Sequence, residues 1–127
     1  MAFSAPIPIL RSFDEAKTRE FYIDFLGFTV EFEHRFHPGT PLYMGVRKGD
    51  CVLHLSEHFG DGVPGSAMRI EVPDVAAYMA ELRAKSYRHA RPGEPQLMEW
   101  GTRDIVIQDP AGNRLCFYSA EAAHGPS

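Results

Sequence analysis

Hydrophobic and polar positions along this chain trace one pattern twice. Ile7-Pro8-Ile9-Leu10 is a short apolar run that closes on Arg11-Ser12-Phe13-Asp14. Ala16, Phe21, Tyr22, Phe25 and Leu26 then recur at helical spacing as far as Gly27. Ala67 to Val72 is the second run; it closes on Pro73-Asp74 and leads into the stripe Val75, Tyr78, Met79 and Leu82, which ends near Lys85-Ser86-Tyr87. Ser12-Phe13-Asp14-Glu15 has the form of a capping box, with either Ser12 or Asp14 as cap, and Asp74 caps the second helix. Gly27 is a natural helix stop.

Short strands follow each helix. Phe28 to Phe36 alternates, with Phe28, Val30 and Phe32 set against Thr29, Glu31 and Glu33, and Leu42 to Val46 and Cys51 to Ser56 complete the first set. Gln96 to Trp100, Thr102 to Gln108 and Arg114 to Ser119 form the second set, with a strong turn at Asp109-Pro110-Ala111-Gly112-Asn113. The prediction is an α+β protein of two βαβββ modules whose mixed sheets curl into one cup. The first module spans residues 1–57, a linker 58–65, the second module 66–121 and a frayed tail 122–127. The stretch Glu57 to Ser66 holds three glycines and a proline, and is expected to be a mobile loop over the cup.

Parity sorts the strand residues into two faces. Leu53, Leu55, Met68, Ile70, Leu115 and Phe117 fall on one, which packs under the helices. His54, Ser56, Arg69, Glu71, Arg114, Cys116 and Tyr118 fall on the other, a mixed polar set suited to a ligand cup or to a plain solvated face.

Composition narrows the function classes. The 127 residues are 44% hydrophobic with a formal net charge of -4, and no basic run suggests nucleic acid. No apolar stretch reaches the ~20 residues of a membrane span, and the first residues lack the basic and apolar regions of a secretory leader. Two cysteines, Cys51 and Cys116, make no disulfide framework, so a reducing cytoplasm is expected.

Four segments carry a resemblance: Leu10-Arg11-Ser12-Phe13-Asp14, Phe21-Tyr22 through Leu26-Gly27-Phe28, Trp100-Gly101-Thr102-Arg103 and Asp109-Pro110-Ala111-Gly112-Asn113. In this order and spacing, over about residues 5 to 119, they resemble the vicinal oxygen chelate superfamily of glyoxalases, extradiol dioxygenases and bleomycin-resistance proteins. The Trp-Gly-x-Arg segment ahead of Asp-Pro-x-Gly-Asn looks most like the bleomycin-resistance branch.

The resemblance implies four metal-ligand positions, mostly His and Glu, in members that do chemistry. Here they fall on Ile7 and Ala67, each seven residues before a helix-capping aspartate, and on His54 and Cys116. Isoleucine and alanine cannot ligate, and two remaining ligands are fewer than the three or more of a catalytic site. No metal or other cofactor is therefore expected. His54-Leu55-Ser56-Glu57-His58 matches a zinc-protease string, but it leaves a strand and meets Phe59-Gly60-Asp61-Gly62, where the two histidines would need one helix face. A Cys116 nucleophile would have only His54 as a base.

The implied reading is a metal-free homodimer that sequesters an aromatic or cationic, antibiotic-like molecule, with bleomycin itself one candidate. Trp100, the only tryptophan, would stack on a planar ligand in the groove segment, with a core aromatic as its alternative. Phe32, Phe36, Tyr43 and Phe59 would complete an aromatic groove, each with core packing as its alternative; His54 and Cys116 face the cup; Arg103 would pair with an acid and hold the Trp100 loop. The loop Glu33-His34-Arg35-Phe36-His37 is closer to neutral or basic than the acidic groove of the resistance proteins, which points away from bleomycin. The alternative is a metal-dependent enzyme of glyoxalase or dioxygenase type that uses His54.

Overall fold

The computed structural model describes residues 1–121, and the tail expected to fray, 122–127, lies outside the described residues. Element order is β1 (Ile9–Arg11), α1 (Glu15–Arg19) continuing as a π-helix (Glu20–Phe25), β2 (Thr29–His34), β3 (Tyr43–Lys48), β4 (Cys51–Ser56), β5 (Ala67–Glu71), α2 (Val75–Ala84), β6 (Gln96–Leu97), β7 (Thr102–Gln108) and β8 (Arg114–Ala120). The strands form two four-stranded mixed sheets, ordered β1-β4-β3-β2 and β5-β8-β7-β6. The β1/β4 and β5/β8 pairs are parallel and the rest antiparallel. This is the α+β, twice-stated arrangement that the hydrophobic pattern predicts. Among the described residues, no helix is long and apolar enough to cross a membrane.

Two compact units divide the chain: Met1–Ser66 with Pro110–Asn113, and Ala67–Asp109 with the chain from Arg114 onward. In the first, Asp14 is the helix cap, and its side chain accepts from Lys17 N–H. Ser12 instead shares a 2.7 Å hydrogen bond with Thr18 in the interior. Glu15 does not reach back to the cap; it pairs with Arg19 and Arg35. Ala16, expected on the buried stripe, is exposed, and Thr18 begins that stripe in its place. The helix then widens, with Leu26 N–H donating five residues back to Phe21 C=O at 2.9 Å. Gly27, at φ +90°, ends it. Phe21, Tyr22, Phe25 and Leu26 are buried, as are Leu10, Met44, Val46, Leu53 and Leu55 of this unit's sheet.

The glycine-rich stretch after β4 packs against β1. Arg11 donates to His58 C=O and Ser56 Oγ to Asp61 Oδ2. Gly62 backs so closely onto β1 that a Cβ there would lie 2.7 Å from Ile9 C=O. Asn113, fully buried, donates to Arg11 C=O at 3.0 Å, which ties the Asp-Pro-Ala-Gly-Asn turn to the same strand.

In the second unit, Asp74 caps α2 by accepting from Ala77 N–H, and Val75 N–H donates to the buried Ser119 hydroxyl. Val75, Tyr78, Met79 and Leu82 are buried, as are Ile107, Leu115 and Phe117, and the Tyr78 and Phe117 rings meet edge-on at 5.3 Å. Ser86, left-handed at φ 54°, follows the helix where glycine is usual. The strand expected over Gln96 to Trp100 stops at Leu97. Beyond it Gly101 N–H donates to Met98 C=O and Met98 N–H to Thr102 C=O, so the chain spends 98–102 on a tight turn.

Candidate functional site

The open face of the first sheet is built by register. Ile9, His54, Gly45 and Phe32 occupy one ladder row, and Arg11, Ser56, Tyr43 and His34 the next. A β-bulge between Val30 and Phe32 makes this row: Val30 pairs with the buried Val46, but Phe32 pairs with Gly45. The two side chains, which strict alternation puts on one face, are thus sent to opposite faces. The strict alternation expected through Val30 and Phe32 therefore does not hold, because the extra residue that resets the parity has no local signature.

Phe32, Tyr43 and His54 form an aromatic cluster. Phe32 meets His54 edge-on at 5.1 Å and lies near-parallel to Tyr43 at 6.1 Å, while the Tyr43 hydroxyl and His54 Nδ1 share a 2.8 Å hydrogen bond. Gly45 supplies the space: a Cβ there would fall 2.2 Å from Phe32 Cε1. Burial, then the charge of Asp61, pushes the Tyr43 phenol up, so it stays protonated. When it donates to Nδ1, the His54 ring proton sits on Nε2, which has no hydrogen-bond partner among the described residues. Phe32 is 41% exposed, so the cluster is open to a ligand.

The other first-unit candidates lie apart. Phe36 is exposed and meets His34 edge-on at 5.0 Å, beside an open depression of about 380 Å³ lined by residues 33–38. The charges of that loop are used internally, Glu33 with Arg19 and Arg35 with Glu15. Phe59 is fully exposed, with no ring partner among the described residues.

The open face of the second sheet has different chemistry. Arg69, Cys116 and Val106 share one row, and Glu71, Tyr118 and Asp104 the next. Asp104 accepts from Arg69 Nη1 at 2.6 Å and from Thr102 Oγ1 at 2.6 Å. Burial alone would raise the Asp104 carboxyl, but these donors hold it below its ordinary value. Cys116 moves the other way: burial first, then the Asp104 charge, pushes its thiol up, away from a reactive thiolate. Trp100, at the β6–β7 turn, is 63% exposed, so core packing is not its role. Arg103 makes a two-pronged pair with Glu121 at 2.8 and 2.9 Å, and Glu121 N–H donates to Gly101 C=O, so both bonds brace the turn that carries Trp100.

A metal does not fit these residues. The strand registers put Ile9 opposite His54 and Arg69 opposite Cys116. Ile7 precedes β1, and Ala67 pairs with Arg114. Within the second unit, the Arg69 guanidinium stands 3.6 Å from Cys116 Sγ, where it would repel a cation. In neither unit do three His, Cys, Asp or Glu side chains converge among the described residues. His54 to Ser56 is strand, so the zinc-protease string is a coincidence of spelling.

Sequence reasoning left Gly45, Asp104 and Thr102 out of the site, and gave Arg69 and Tyr118 only a place on the open face. The signal for Arg69 was present in the repeat: it stands five residues before Asp74, as Ile9 stands five before Asp14.

No protein of curated function matches the sequence. Among solved structures, a bleomycin-binding protein from bleomycin-producing Streptomyces verticillus, complexed with copper(II)-bleomycin, is 30% identical at a TM-score of 0.69, covering 95% of this chain and 99% of that one. A bleomycin resistance determinant encoded on the transposon Tn5 is 24% identical at 0.74, covering 94% and 99%. An antibiotic-binding protein from a Streptomyces species is 22% identical at 0.71, covering 95% and 99%. The model of the family described as "Glyoxalase superfamily protein" matches residues 1–124, and the chain belongs to that superfamily.

Proposed function

We propose that this protein is a metal-free binder that sequesters a small, planar aromatic molecule of antibiotic-like size, and that it works as a cytoplasmic homodimer. The observation that carries the reading is the open Phe32–Tyr43–His54 cluster, with an unpartnered His54 Nε2 beside exposed ring surface. Sequestration needs complementary surface and no reacting group, in keeping with the raised Cys116 thiol and the poor fit of a metal. The 30% identical bleomycin-binding protein supports a drug-like ligand. The internally paired charges of the loop at 33–37 support one that needs no cationic tail, so bleomycin is a probe here and not the assigned ligand. Ile9 and Phe32, both exposed in one row on the open face of the first sheet, support burial against a second copy.

The test has two arms. Elemental mass spectrometry on protein grown with manganese, iron, nickel and zinc is expected to find almost no metal per chain. Calorimetric titration with a panel of planar aromatic antibiotics, bleomycin included, is expected to give saturable, one-per-chain binding that Phe32→Ala or His54→Ala weakens without unfolding the protein. About one metal per chain, lost on His54→Ala, would overturn the binder in favour of a metal-dependent lyase or dioxygenase. Sedimentation that shows a monomer at micromolar concentration would overturn the dimer.

A further inference from the structure

The second unit's open face holds a guanidinium that the reading above leaves unused. Arg69 Nη1 donates to Asp104 Oδ2 at 2.6 Å and to Cys116 Sγ at 3.6 Å, and the guanidinium carbon lies 4.1 Å from the centroid of the Tyr118 ring. Asp104 is itself fixed by Thr102 at its other oxygen. The carboxylate is covered and the guanidinium is not, with side-chain exposures of 9% and 45%. Arginine carries five N–H donors. The two on Nη1 are committed, while Nε and Nη2 donate to no described residue.

A surface arginine is ordinarily a flexible arm that loses rotamer freedom when it binds. This one is already held by a carboxylate, a thiol and an aromatic face. Its free edge, Nε–H beside Nη2–H, has the spacing that two oxygens of a carboxylate take side-on. Nothing structural asks for that edge to stay free, since Asp104 is satisfied through Nη1 alone.

We propose that the Nε/Nη2 edge of Arg69 is a subsite for the carboxylate of a small organic acid. The repeat gives the position its meaning. In the first unit the equivalent row pairs Ile9 with His54, and in the second it pairs Arg69 with Cys116. One sheet therefore offers an apolar, aromatic face, and the other a directional anion contact. Asp104 cancels most of the net charge, so the subsite selects by geometry more than by field, and its intrinsic affinity is modest. The inference stands whether the chain sequesters its ligand or transforms it.

The test is a titration of the full chain, at constant ionic strength, with sodium benzoate, with benzamide as its neutral isostere and with inorganic phosphate as the alternative oxyanion. The readout is the Arg69 Nε–Hε resonance in proton–nitrogen spectra, identified by its loss in Arg69→Gln. Benzoate is expected to move that resonance saturably, with benzamide and phosphate weaker by about tenfold, and Arg69→Gln is expected to lose about tenfold in benzoate affinity by calorimetry. Arg69→Lys keeps the charge without the fork and is expected to fall severalfold. An unmoved resonance, or equal benzoate affinity in Arg69→Gln, overturns the subsite. Phosphate binding tighter than benzoate replaces the carboxylate with a phosphate group, and unchanged affinity in Arg69→Lys overturns side-on recognition. Position 69 is exposed, and near-UV circular dichroism checks that both variants remain folded.

Discussion

The space over Gly45 yields the sharpest prediction. Phe32 lies over this glycine, and an added Cβ would sit 2.2, 2.7 and 2.9 Å from its Cε1, Cδ1 and Cζ atoms. Ordinary carbon contact is near 3.6 Å, so in Gly45→Ala the ring must withdraw by about 1.4 Å. Phe32 stands on an exposed strand and is free to swing outward, giving up its edge contact with His54 and its stack on Tyr43. Such pairs contribute about 0.5–1.5 kcal/mol each, so the withdrawal costs about 1–3 kcal/mol. Alanine in place of a strand glycine returns about 0.4–1 kcal/mol by restricting the unfolded chain. Gly45→Ala is therefore expected to destabilise by up to about 2.5 kcal/mol, a fall of up to roughly 10 °C in Tm for a chain of this size. In a Phe32→Ala background the clash is gone and the same substitution should change sign, to stabilise by about 0.4–1 kcal/mol. Urea unfolding of the four proteins of this double-mutant cycle measures the coupling. Equal destabilisation by Gly45→Ala in both backgrounds would refute the placement of Phe32, and with it the bulge that puts the ring on the His54 face.

Other expectations concern single groups. Glu15 is held below the ordinary carboxylate value by hydrogen bonds from Arg35 and then Arg19, so its contribution is present above the unfolded pKa and is lost as pH falls through the lower folded value. Glu15→Gln should therefore flatten the acid limb of a plot of urea midpoint against pH, and an unchanged limb would contradict the pairing. Cys116, raised by burial and then by Asp104, should be alkylated slowly by iodoacetamide at neutral pH and faster in Asp104→Asn, with mass spectrometry following the modified peptide. Asn113→Ala removes the buried donor to Arg11 C=O and should cost about 1–3 kcal/mol in chemical denaturation, whereas Trp100→Phe, on an exposed turn, should stay within about 0.5 kcal/mol.

Much of the architecture was legible because its signals are local. The Asp14 and Asp74 caps, the stripe from Val75 to Leu82, the alternation around Leu115 and Phe117 and the Asp-Pro-Ala-Gly-Asn turn each depend on neighbours within a few residues. The twice-stated pattern followed from these and gave the α+β arrangement of two mixed four-stranded sheets. Where the reading failed, the competing interaction was distant. Glu15 fits a capping box, but Arg35 lies 20 residues away and takes it. Gln96 to Trp100 reads as strand, but the pairing of β6 with β7 closes a turn at Gly101 first.

The candidate site divides along the same line. The sequence by itself determined which face most of the candidate residues take, because strand parity is a property of adjacent residues: His54, Arg69, Cys116 and Tyr118 were all assigned to the open side. Only the tertiary structure decided who meets whom. The bulge that brings Phe32 to Gly45, the hydrogen bond between Tyr43 and His54, and the ion pair that Asp104 makes with Arg69, 35 residues away, all depend on inter-strand register. Register is set by the packing of whole sheets against their helices, and no short stretch of chain encodes it.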